Sequence, residues 1–91
     1  PRPDKGDRKL DLQFGDGELE IFVVPDAAAR PDNPQTLGIP HLAFRVDNIQ
    51  EAAADLAAKG IACDPIRMDP YSQKPYMFFH DPDGLPLELH E

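Results

Sequence analysis

Three polar side chains interrupt apolar alternating stretches: Glu20 in Leu19-Glu20-Ile21-Phe22, His41 ahead of Leu42-Ala43-Phe44, and Glu88 between Leu87 and Leu89. One imidazole and two carboxylates make a donor set for a divalent metal ion, with Zn, Ni, Co, Mn or Fe all suited to nitrogen and carboxylate oxygen. Each residue alone has a plainer reading as the solvated face of an antiparallel strand. The case for chemistry rests on the three sharing one face.

The remaining polar residues compete less well for such a role. His80 and His90 fall at a strand end and at the chain's end, where exposure to solvent is expected. Cys63 has no Cys or His at zinc-site spacing and reads as a small buried side chain, and as the single cysteine it can form no internal disulfide. Asp81-Pro82-Asp83-Gly84 lacks the alternating oxygen ligands and distal Glu of a calcium loop and suits a tight turn instead. Arg45, Arg67, Lys74 and Tyr76 have the chemistry to bind an anionic substrate, with solvated charge as the equal alternative.

The elements that must position these residues follow from hydrophobic periodicity. Leu10, Leu12 and Phe14 alternate with Asp11 and Gln13; after the turn Gly15-Asp16-Gly17, so do Leu19, Ile21 and Val23 with their polar neighbours, which predicts an antiparallel hairpin over 8–24. Residues 1–7 are polar and expected to be loop-like. The proline-rich stretch 25–40 reads as a long connection with polyproline character. A strand over 39–46 puts Leu42, Phe44 and Val46 on one face and His41, Ala43 and Arg45 on the other. Asn48 then caps a helix, with Glu51 three residues on and Ile49, Ala52, Ala53, Leu56 and Ala57 at helical spacing until Gly60 stops it.

Three more strands are expected, over 61–67 with Pro65 at an edge, over 74–80 and over 85–90, the last two paired around the Asp-Pro-Asp-Gly turn. The result is an α+β domain, one helix covering one face of a mixed or antiparallel sheet. If the helix packs on Leu42, Phe44 and Val46, then His41 and, by parity, Glu88 and Glu20 occupy the helix-free face.

Composition sets outer bounds. Ninety-one residues make one small domain, in which association or a bound metal would supplement a modest core. A formal charge of −8 offers no basic stripe for nucleic acid, no stretch resembles a membrane span or signal peptide, and a cytoplasmic location is the default.

Two runs go beyond generic pattern. Gly38-Ile39-Pro40-His41-Leu42-Ala43-Phe44-Arg45-Val46-Asp47-Asn48-Ile49 and Phe78-Phe79-His80-Asp81-Pro82-Asp83-Gly84-Leu85-Pro86-Leu87-Glu88-Leu89 resemble the vicinal oxygen chelate superfamily, within it the small glyoxalase I-like proteins, and Asp64-Pro65-Ile66-Arg67-Met68-Asp69-Pro70-Tyr71 is similar to the same subgroup. The resemblance covers about residues 8–91. It implies paired βαβββ modules cupped around a divalent metal. Residues 38–91 would form one complete module, with 8–24 the last two strands of another and 25–37 the connection.

The resemblance further implies that Glu20, His41 and Glu88 are metal ligands and that Glu88 or Glu20 moves the proton. The reaction would resemble that of lactoylglutathione lyase, a small substrate passing through a metal-stabilised enediolate. Other members of such a scaffold are drug-binding proteins, ring-cleaving dioxygenases and metal-dependent resistance transferases, so these remain alternatives. The first strand and helix of the first module, with their His ligand, have no counterpart here. The cup would therefore be completed by a preceding segment or by a second copy in a homodimer.

Overall fold

The computed structural model describes residues 8–31 and 36–91, so the expectations for residues 1–7 and for the middle of the 25–40 connection lie outside the described residues. Strands β1 (Arg8–Phe14) and β2 (Gly17–Val23) form the expected antiparallel hairpin, with Asp11 opposite Glu20 and Leu12 opposite Leu19. Its tip is tight because Gly17 lets the Phe14 ring fold over it; a Cβ there would stand 2.7 Å from that ring.

A second, four-stranded sheet has the order β3-β6-β5-β4, built from β3 (Leu42–Arg45), β4 (Arg67–Met68), β5 (Pro75–His80) and β6 (Pro86–His90). It is mixed: β3 runs parallel to β6, whereas β5 is antiparallel to both β6 and β4. The strand expected over 61–67 shrinks to a single bridge at Cys63 and the two-residue β4. Pro65 accounts for this, since it brings no N–H to a ladder.

Between β3 and β4 lies α1 (Ile49–Ala58). Asn48 caps it as expected, its Oδ1 accepting from Glu51 N at 3.0 Å. The helix ends in a Schellman arrangement, Ile61 N donating to Leu56 O and Gly60 N to Ala57 O, both at 3.0 Å. Its apolar stripe packs on one face of the sheet, where Ile49, Met77 and Leu89 are buried and Phe44, Val46, Ala52, Ala53, Leu56, Cys63 and Phe79 gather around them. No helix among the described residues is long and apolar enough to cross a membrane.

The turn between β5 and β6 is fixed by one side chain. Asp81 Oδ1 accepts from Asp83 N at 2.9 Å and Leu85 N at 2.8 Å, while Gly84 N closes the turn on Asp81 O at 3.0 Å. That geometry sets the register of β6 against β5 and hence the face to which Glu88 points.

Candidate metal centre

Opposite the helix, the sheet presents side chains of alternate residues from each strand. Ala43, Glu88 and Phe78 lie in one transverse row, and Arg45, His90, Tyr76 and Arg67 lie in the next. His41 sits just before β3 rather than within it, so the expected strand over 39–46 is shorter at both ends. From just ahead of the strand the imidazole still reaches this face: His41 Nε2 lies 3.2 Å from Glu88 Oε1, and its ring packs edge-to-face with Phe78, centroids 5.3 Å apart.

The two side chains are 37 % and 21 % exposed, which leaves the pair open to a small ligand on one side. Their spacing suits a metal. Nitrogen and oxygen ligands at about 2.0–2.2 Å from an ion stand roughly 3.0–3.4 Å apart when they occupy adjacent coordination positions. The donor chemistry and the gap between the atoms therefore both fit a divalent ion, while two protein ligands fall short of the three that catalytic sites hold.

Glu20 is elsewhere. It belongs to the separate hairpin sheet and, with Asp11 and Glu18, forms the one cluster of three possible ligands among the described residues. The single face expected to hold Glu20, His41 and Glu88 is therefore split within one chain. The reason is that no ladder joins the hairpin to the four-stranded sheet, so parity along β2 carries no information about the face of β6. The Lys9 ammonium lies 3.3 Å from Asp11 and 3.4 Å from Glu20. The hydrogen bond with Asp11 is the main cause of a Lys9 pKa above the ordinary lysine value, partial desolvation opposing it and the charges of Asp11 and Glu20 adding to it. This ammonium occupies the approach to Glu20 in the isolated chain.

Beside Glu88 a cavity of about 480 Å³ is lined by Arg45, Asp69, Lys74, Tyr76, His90 and Glu91 among others. His90, expected at solvent, is half-buried on this wall because β5 pairs alongside it, and its Nδ1 lies 3.2 Å from Glu91 O. His80 is exposed as expected, and Cys63 is half-buried against the core. Glu91 has a task that periodicity does not signal: its Oε2 accepts from Ile49 N at 2.9 Å, capping a helix 42 positions away.

The chain matches the family model of the glyoxalase/bleomycin resistance protein/dioxygenase superfamily over residues 3–89. It is 48 % identical to the uncharacterized protein YaeR of Escherichia coli (strain K12) over 87 residues, which cover 96 % of this chain and 65 % of YaeR. Its fold matches the crystal structure of the glyoxalase family protein from Enterococcus faecalis with a TM-score of 0.90 and 53 % identity, over 99 % of this chain and 71 % of that one. Lactoylglutathione lyase from Agrobacterium tumefaciens matches with a TM-score of 0.67 over 92 % of this chain and 68 % of that one; at 22 % identity the likeness is one of fold.

Proposed function

This chain belongs to the glyoxalase/bleomycin resistance protein/dioxygenase superfamily, and on that premise we propose that His41 and Glu88 hold a divalent metal ion for a lyase or isomerase reaction of the lactoylglutathione lyase type. The observation that carries this reading is the 3.2 Å gap between His41 Nε2 and Glu88 Oε1, the spacing of two adjacent ligands on one ion. A metal bound there would polarise neighbouring oxygens of a small substrate and acidify the C–H between them.

The chain's own residues supply the rest. Phe78 packs edge-to-face with the His41 ring and restricts its rotation. Glu88, half-buried at the centre of β6, is the carboxylate placed to accept the substrate proton and return it to the adjacent carbon. Glu20 is the third ligand in this reading, and it reaches the ion across a contact between two copies of the chain, because within one copy it groups with Asp11 and Glu18.

Metal analysis of the purified protein tests the centre. Stoichiometric Ni, Co, Mn, Fe or Zn is expected, with affinity lowered by about 100-fold or more in His41→Ala, on the scale of losses seen when a metal site is disturbed. Metal bound equally well by the variant would sink the ligand assignment. With metal present, turnover of the methylglyoxal–glutathione adduct is expected, and Glu88→Gln should lower kcat by about 100-fold or more. Small-molecule binding with no metal requirement would point instead to a non-catalytic member of the same fold.

A further inference from the structure

We propose that the row beside the His41–Glu88 pair is an oxyanion-binding subsite, in which Arg45 and Tyr76, with Lys74 from the residues leading into β5, hold a carboxylate or phosphonate group of the substrate. The inference rests on reading the helix-free face as the substrate face and names the substrate class for it: a small molecule with an anionic head beyond its metal-binding oxygens.

Register places the subsite. Arg45 pairs with His90, His90 with Tyr76 and Tyr76 with Arg67, so four strands align these side chains across one face. The row lies two residues along from Ala43, Glu88 and Phe78, a displacement of about 6.5 Å at the usual rise of a strand. That is the reach of a compact organic acid between its reactive oxygens and its anionic end. Arg45, Lys74, Tyr76, His90 and Glu88 share the cavity of about 480 Å³, within the size range of small-molecule sites.

Charge pairing points the same way. Each carboxylate lining the cavity is already engaged: Glu88 with His41 at 3.2 Å, Asp69 Oδ1 with Tyr71 N at 2.8 Å, and Glu91 Oε2 with Ile49 N at 2.9 Å. The Arg45 guanidinium and the Lys74 ammonium make no hydrogen bond or ion pair with any described residue, although the chain carries a formal charge of −8. An acidic chain repels anions at long range, so two uncommitted cations lining one cavity with Tyr76 form a local exception with the donors an oxyanion requires.

The test is a chemical-shift titration of the isotope-labelled full chain with acetate and, separately, methylphosphonate, neither of which needs a metal. Saturable shifts are expected at the amides of Arg45, Lys74, Tyr76 and His90, and the tighter of the two probes identifies the carboxylate or phosphonate class. Arg45→Gln and Lys74→Gln should each weaken binding by about tenfold, the scale of one charge-assisted contact. Arg8→Gln, at an exposed position on β1, should leave it unchanged. Absence of saturable shifts for both probes, or equal binding by wild type and both cavity variants with native spectra, overturns the proposal. His41→Ala should retain probe binding while losing metal, so a failure of the metal reading is distinguishable from a failure of the subsite.

Discussion

Glu91 shows how a single side chain joins the core to the site. Its carboxylate accepts from the first free amide of α1 while Glu88, three residues earlier on β6, faces the candidate metal centre. A carboxylate at a helix N-terminus satisfies an orphan donor and meets the positive end of the helix dipole. Glu91→Ala is therefore expected to cost about 1 kcal/mol in chemical denaturation, and Asn48→Ala a similar amount, since the two cap the Ile49 and Glu51 amides of the same first turn. Because the caps share one helix end, the loss in the double variant should depart from the sum of the two by about 0.5 kcal/mol or more. Residue-level legibility follows the same divide. His41, Glu88 and the Asn48 cap can be read from local alternation and spacing, whereas Glu91 and the half-burial of His90 depend on partners that local patterns do not encode.

At the scale of elements, β6 governs both halves of the design. Leu89 is buried beneath the helix and Glu88 lies on the opposite face, so a register slip of one residue would bury the carboxylate and expose the core. The Asp81–Gly84 turn guards against that slip, and Gly84 holds φ +88 with nothing within 4 Å of the place a Cβ would take. Gly84→Ala thus meets no clash and bears only the strain of the left-handed backbone, an expected loss of about 1 kcal/mol in thermal or urea unfolding. Met77→Ala removes one of the three buried core side chains and should cost about 2–5 kcal/mol, enough to unfold much of so small a domain. Sequence periodicity reaches the hairpin, the helix and the paired last strands because each carries a strong local pattern. It overextends the strand after Gly60, where Pro65 and the absence of a continuous ladder leave only a bridge and a two-residue pair.

The whole molecule is more open than its length requires. Its radius of gyration is 15.5 Å, against roughly 12 Å for a compact chain of this size. The hairpin exposes Leu10, Leu12, Ile21 and Val23 by 40–50 %, and Phe14 meets Phe44 edge-on with ring centroids 5.5 Å apart. An apolar sheet face of this kind gains stability from cover, and the proposed metal centre of His41 and Glu88 gains from a third donor. A homodimer that brings Glu20 of one copy to His41 and Glu88 of the other meets the second need, since a twofold contact creates two such sites. Mixing chains provides the decisive measurement. Glu20→Gln and His41→Ala should each bind metal poorly alone, while a refolded mixture should regain about a quarter of the wild-type sites, because each mixed dimer then holds one site with all its ligands intact. If Glu20 served the His41 of its own chain, every site in the mixture would still lack one ligand and no binding would return.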